Sequence, residues 1–597
     1  MRYLWVLLSF LSVLAGCKYS SSHRDPNDSV LYSTHPAKIR GLDPGDIGDQ
    51  TSALIASQMF ECLYQYHYLK RPYQLIPCLA EDMPSISPDG LVWTIKIKTG
   101  LRFADDKCFE NGKGREVTAN DFVFAWKRIA NIKYLSKNWW VFDGKIIGLD
   151  EFREYTKTCK TDKAVDYNTP VDGLQTPDNY TLIIKLKQPW PQMVDMLAHL
   201  PTAPIAKEAV DYYQKDIINH PVGTGPYTLK IWRRGSYIEM VKNPNFRDEF
   251  YPSEGEPNDA ADGLLADAGK KLPLTNRIVS VLIQEDPPRW FLFLQGKIDV
   301  SGIPKDNFSE AIDMRRELTP EMQARNIKLT KFRDPSTYWI GFNMEDKIIG
   351  KNLPLRKALA SAVDRDKYIS LFTNNRGEPA YGFVPPLMSS YNPDIKNISQ
   401  TAYDSNNARK YRAEAEKLYG GKIPTLTLAV PSTDAIARQE GDFLKRCFNA
   451  AGLDVDMDYM DWPIFQDKIK TKSAQMFMLG WVADIPDAEN FLQLFYSKNA
   501  SPGSNNFNYS NPEFDKLYET SSIMPDSPQR DALYRQAEEI VVKDCPAIFM
   551  MHGAAFILTH DWAMNIKPHA FAYGLSKYRR VDQKKKNDYS NLLKSLK

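Results

Sequence analysis

The stretch that decides the fold runs from residue 80 to residue 128: "AEDMPSISPDGLVWTIKIKTGLRFADDKCFENGKGREVTANDFVFAWKR". "SPDG" is turn chemistry, because Pro presets φ and Asp and Gly accept the bend. "LVWTIKIK" alternates apolar and polar residues and is rich in β-formers, so it predicts a strand with one buried face. "VTANDFVFAWKR" offers Thr118 as an N-cap, with Phe122, Ala125 and Trp126 on one helical face. Turn, strand, loop and capped helix follow from local physics alone.

The same stretch resembles the hallmark block of the extracytoplasmic solute-binding proteins of peptide ABC transporters, the oligopeptide- and dipeptide-binding family. Ala80, Glu81, Asp89, Gly90, Phe103, Val117, Thr118, Ala119, Asp121, Phe122, Trp126, Lys127 and Arg128 match it. The family's "DG" after Phe103 is replaced by Asp105-Asp106 and an insertion carrying Cys108. Further blocks continue the resemblance in order. They are "GLDPGDIGDQTSALIASQMFECLYQY" (41–66), "NHPVGTGPYTLKIWRRGSYIEMVKNPNF" (219–246), "QGKIDVSGIP" (295–304) and "STYWIGFNMEDKIIGKNLPLRKALASAVDRDKYI" (336–369). "GEPAYGFVPP" (377–386), "AGLDVDMDYMDWPIF" (451–465), "GWVADIPDAENFLQLF" (480–495) and "NYSNPEFDKL" (508–517) complete the series.

The resemblance implies an α/β fold of the two-lobed periplasmic-binding-protein type, with mixed sheets flanked by helices and an extra inserted domain. The first lobe is expected to be discontinuous, over 29–62, 178–280 and 558–585. The inserted domain is expected at 63–177, the second lobe at 281–557 and a basic tail at 586–597. Independent signals agree: Pro354 opens a helix with Leu355, Ala358, Leu359 and Ala362 on one face, and Ser527 with Pro528 opens another.

Within the "GW" block, "MFMLGWVADIPD" (476–487) is a strand-like apolar run that ends on Asp484 and Asp487. A carboxylate against apolar surface needs a cation or hydrogen-bond donors. Two readings compete: an N-cap for a following helix, or a partner supplied by a ligand. Resemblance favours the second, because the family's Asp in this block pairs with a peptide α-ammonium, and Gly480, Trp481 and Asp484 match that block. Trp462, Tyr338, Trp339 and His199 align with aromatic and histidine pocket positions, and Trp140 more loosely with a pocket tyrosine. Core packing is the alternative for each of these. Relatives that grip peptide C-termini use arginines where Ile469 and Met478 stand here, and a cysteine pair of the enteric relatives is replaced by Ser336 and Val482. In the family, extended peptides bond through their backbone to strand edges, while hydrated pockets take the side chains.

The chain opens "MRYLWVLLSFLSVLAGC". A positive start, an apolar run and small residues make an export signal over 1–17, too short for a span of about 20 residues. Leu14-Ala15-Gly16-Cys17 resembles a bacterial lipobox, which implies that Cys17 is acylated and tethers the protein to the lipid bilayer. Residues 18–28 read as a flexible leash. The expected setting is periplasmic or cell-surface, on a bacterial membrane.

With 76 basic and 74 acidic residues there is no net field for nucleic acid. The basic tail reads as a solvated terminus. No zinc-like or CxxC spacing links the cysteines; Cys108 and Cys159, in polar sequence, are the pair expected to form a disulfide, while Cys447 and Cys545 read as buried. HExxH, GxSxG and P-loop motifs are missing, and "GTGPY" reads as a tight turn. No catalytic residues, metal or cofactor are expected. The resulting expectation is a monomeric receptor that delivers peptides to a membrane-embedded ABC permease with its ATPase subunits. Alternatives are the same fold carrying a murein peptide, metal chelate, haem or sugar, and, behind these, a surface adhesin or chaperone, or a hydrolase.

Overall fold

The computed structural model describes residues 29–595, so the export signal, Cys17 and the leash lie outside the described residues. Three principal sheets organise the chain. The first is four-stranded, in the order Val30–His35, Arg277–Leu282, Tyr237–Lys242, Tyr227–Arg233. Its first pair is parallel and the others antiparallel. The second is antiparallel, in the order Ser85–Ile86, Val92–Lys96, Thr181–Lys185, Leu174–Asp178. The third has seven strands and is built on two long ones, Ile327–Phe342 and Ala547–His560, with Met476–Val482, Leu426–Val430 and Val455–Tyr459 following on one side.

The deciding stretch folds as its local chemistry dictates. Alternation in Val92–Lys96 buries Trp93 and Ile95. The helix Ala119–Ala130 opens with a capping box in which the Thr118 backbone N–H donates to Asp121 Oδ2 at 2.8 Å, and it buries Phe122, Ala125 and Trp126. "GTGPY" owes its glycines to close approach. A Cβ on Gly223 would lie 2.1 Å from the Met59 carbonyl oxygen, and one on Gly225 would lie 2.5 Å from the Met59 carbonyl carbon. The Gly225 N–H donates to that same oxygen at 2.9 Å. These glycines dock one segment on another rather than cradling a phosphate.

Two motif residues far apart in sequence explain each other. Arg128, from the capped helix, donates to both oxygens of Asp43, from "GLDPGD", at 2.8 and 2.6 Å, and Tyr134 adds its hydroxyl at 2.7 Å. Burial opposes ionisation of Asp43, yet the Arg128 guanidinium overrides it and holds the carboxyl below its usual range.

The C-terminal segment returns to the start of the chain. Asp299 accepts from Tyr32 N, Trp562 Nε1 and Lys586 Nζ at 2.7, 2.7 and 2.6 Å. The tail, read as solvated, is exposed at Gln583, Lys584, Lys585, Asn587 and Asp588 but is docked by Lys586 and Tyr589. Gln583–Ser595 is a helix, and Tyr589 is only 4% exposed, its ring 4.8 Å from that of Trp562. An amphipathic turn with Lys586 and Tyr589 on its inner side has a carboxylate and an aromatic wall to pack on. The Cys108–Cys159 bridge is also absent. Both are free thiols: Cys159, the C-cap of Leu149–Thr158, turns its Sγ to the Tyr155 carbonyl, while the Cys108 loop is tied to Asp106.

Removing one member of a buried ion pair strands the other. Asp43→Ala is expected to cost about 3–5 kcal/mol, and adding Arg128→Met should recover part of that loss. Calorimetric melting of both variants checks this, with recovery as the diagnostic outcome.

Candidate functional site

The third sheet sets up the site through strand parity. Met476–Val482 pairs with Ile327–Phe342 so that Ser336 faces Val482, Tyr338 faces Gly480 and Trp339 faces Leu479. Successive side chains point to opposite sides. Tyr338 is accordingly 39% exposed, whereas Trp339 is 2% exposed and packs on Phe507 in the core. Gly480 is required by its neighbour: a Cβ there would lie 2.4 Å from Tyr338 Cδ1. Ser336 and Val482, aligned from sequence as a missing cysteine pair, are direct cross-strand partners. Ile469 and Met478 pack with apolar clusters, so neither position offers a cation.

Beyond the strand, Asn490 gathers the loop. Its Oδ1 accepts from Trp481 Nε1 at 2.7 Å and from Asp484 N at 3.2 Å. The two carboxylates of the loop then diverge. Asp487 accepts from Glu489 N at 2.8 Å, a turn bond just ahead of the Glu489–Leu492 helix whose N-cap is Ala488, and pairs with Arg530 at 2.7 Å. Asp484 caps nothing. Its one side-chain hydrogen bond, from Asn490 Nδ2, is 3.5 Å long, and no ion pair among the described residues includes it. Burial pushes the Asp484 carboxyl above its usual range, with nearby His199 opposing; burial pushes His199 below its own, with Asp484 opposing.

Asp484, His199, Asp195, Tyr66, Phe571 and Tyr573 line one cavity of about 80 Å³. Trp140, half-exposed, places its ring 6.0 Å from that of His199. The structure therefore brings Asp484, His199 and Trp140 together, with Tyr338 over Gly480 on the strand that leads to them. It leaves Trp339 in the core, where parity puts it, and Trp462 on the Trp462–Lys470 helix, stacked on Phe465 and 44% exposed, outside that cavity. Sequence reasoning missed Asp195, Tyr66 and Tyr573. Asp195 carried the same signal as Asp484, a lone carboxylate in an apolar run, "MVDMLAHL". Tyr573 and Tyr66 carried none, because only tertiary folding brings them in.

A much larger groove, about 2340 Å³, opens on the face formed by parts of residues 115–218. It contains none of these residues, and its rim of Lys133, Lys160, Asp166 and Asp211 is a solvated mixed-charge surface. Among the described residues no group of His, Cys, Asp and Glu could hold a metal ion, and no helix is long and apolar enough to cross a membrane.

The chain is a mixed α/β protein in which a small, carboxylate-bearing cavity lies between elements of distant sheets. The model of the bacterial extracellular solute-binding proteins, family 5 (its middle region), matches residues 74–503, and the chain belongs to that family. It is 25% identical over 578 residues to the oligopeptide-binding protein OppA of Bacillus subtilis, covering 94% of each chain. It is 24% identical over 546 residues to the periplasmic oligopeptide-binding protein OppA of Escherichia coli, covering 89% of each. Among solved structures, the periplasmic binding protein DppA from Helicobacter pylori in complex with peptide STSA shares the fold, with a TM-score of 0.72 at 22% identity, over 93% of this chain and 98% of that one. The murein tripeptide binding protein MppA of Escherichia coli aligns with a TM-score of 0.69 at 20% identity, over 93% and 99%.

Parity makes a sharp prediction for two adjacent aromatics. Trp339→Ala should cost about 3–5 kcal/mol of stability through the cavity it leaves, while Tyr338→Ala should leave the melting temperature within a degree or two. Differential scanning calorimetry separates them, and equal losses would mean that both rings serve the core.

Proposed function

We propose that the protein is an extracytoplasmic receptor that binds extended peptides between its lobes and delivers them to an ABC permease. The observation that carries this reading is Asp484, a carboxylate that lines the cavity and belongs to no ion pair among the described residues. A peptide α-ammonium would supply the missing charge as a charge-assisted hydrogen bond. Family membership and the peptide-binding names of the relatives support the same assignment. Tyr338, Trp481, Trp140 and His199 are then the walls of the cleft. The lobe boundaries drawn from sequence, lipid anchoring through Cys17, a monomeric state and the lack of catalysis belong to this proposal. Of the rival readings, the MppA likeness favours one narrow variant, a murein-derived peptide, which also presents an amine.

Asp484→Ala should weaken binding of a free-amine peptide by about two to three orders of magnitude. N-acetylating the peptide should cost the wild type heavily and the variant little. Titration calorimetry with both peptides checks this, and a preserved preference for the free amine in the variant rules the pairing out. The pH dependence has two limbs. Binding needs ionised Asp484, whose carboxyl in the free protein lies above the ordinary value of about 3.9. Affinity should therefore fall on acidification as Asp484 takes a proton, and fall again in alkali as the peptide α-ammonium, with an ordinary pKa of about 8, loses its own; protonation of His199 acts in the same direction as the acid limb. Cys17→Ser should release a soluble or uncleaved precursor in the native host, read by detergent partitioning.

A further inference from the structure

Most fully buried acids in this protein are met by cations. Asp43 pairs with Arg128, Glu61 with Arg247, Asp259 with Lys567, Asp267 with Arg580, and Asp299 with Lys586. Glu538 has none, but the N–H groups of Phe383 and Val384 both donate to it at 3.0 Å. The cavity breaks the pattern twice. Asp484 enters from the third sheet and Asp195 from the short helix Met193–Met196, and neither belongs to an ion pair among the described residues. The two cationic and anionic neighbours that also line it are already committed: Lys577 to Glu249 at 2.7 Å, and Glu61 to Arg247 at 2.9 Å. Asp484 Oδ1 accepts no hydrogen bond from a described residue, and the His199 ring makes none. With His199 neutral, the unpaired lining therefore carries up to two negative charges, and a ligand with one ammonium cancels one of them.

Asp195 is placed to take the other. Met193 and Met196 on the same turn are buried, which leaves Asp195 facing the cavity, where its Oδ1 accepts from Tyr66 at 2.9 Å. Tyr66, Phe571 and Tyr573 line the same space and Trp140 flanks His199, surfaces that accept an alkyl stem and the face of a cation. We infer that Asp195 is a second cation subsite, so that the protein selects peptides with a basic side chain on the first or second residue. This deepens the peptide reading above and rests on it. A dication would link an acid on each side of the cleft. With a monocation, Asp195 instead takes a proton, since burial and then repulsion by Asp487 and Asp526 push its carboxyl up to about 7, against the Tyr66 hydroxyl.

The test is titration calorimetry of the full mature protein with Ala-Ala-Ala, Lys-Ala-Ala and Ala-Lys-Ala at pH 6, 7 and 8. At pH 8 at least one lysine peptide should bind tenfold or more tightly than Ala-Ala-Ala, and the preference should shrink by pH 6. Asp195→Asn keeps an oxygen for the Tyr66 hydroxyl and should abolish the preference while still binding Ala-Ala-Ala. Should that variant fail to fold, Tyr66→Phe removes the hydroxyl that favours the ionised carboxyl and should shrink the preference at pH 7, moving its onset to higher pH. Equal affinities across all three peptides in the wild type, or a preference unchanged in Asp195→Asn, overturn the subsite and leave the peptide reading standing. Failure of every peptide to bind overturns the peptide reading and the subsite with it.

Discussion

A carboxylate taken out of water must be met by a cation or a set of donors, and much of this architecture is the consequence. Asp43 with Arg128 ties the opening segment to the first long helix. Asp267 with Arg580 and Asp299 with Lys586 tie the middle of the chain to its end. Each pair joins residues remote in sequence, so the ionic contacts specify which segments meet. Apolar clusters supply most of the burial but would tolerate other pairings. The cavity that Asp484 and Asp195 line is a place where that rule is suspended.

Strand parity is the second organising constraint. In Ile327–Phe342, one residue's shift separates Trp339 in the core from Tyr338 on the cleft side. The same alternation places Gly480 beneath the Tyr338 ring, and Asn490, on the short helix Glu489–Leu492 beyond the strand, holds Trp481 and Asp484 in fixed relation. A rigid sheet thus carries the wall of the site, and a short loop held by one asparagine presents the carboxylate.

How much of this was legible in the sequence depended on range. The strand at 92–96, the N-cap at Thr118 and the Ser527-Pro528 helix start were readable because their causes lie within a few residues. Asp484 stood out because a charge at the end of an apolar run contradicts its own surroundings. Asp195 offered the same contradiction and was overlooked. Trp339 was grouped with its neighbour because parity, invisible in an aromatic pair, decides which ring meets solvent. Tyr66 and Tyr573 could not be found locally, since residues hundreds of positions apart converge only in the finished fold. The pairing of Cys108 with Cys159 failed for a related reason: polar surroundings say where a thiol is exposed, not which way it points.

The meeting of Tyr32, Asp299, Trp562 and Lys586 has a consequence for how the molecule comes into being. A strand near the beginning of the chain waits for residues near its end before its surroundings are complete. Contacts of such sequence separation close large loops and form late. The third sheet depends on Ala547–His560 in the same way. A nascent chain therefore carries an unfinished third sheet, and a first sheet whose flank is still bare, until these late residues are available, and chaperones that shield open strand edges have most to do just before then.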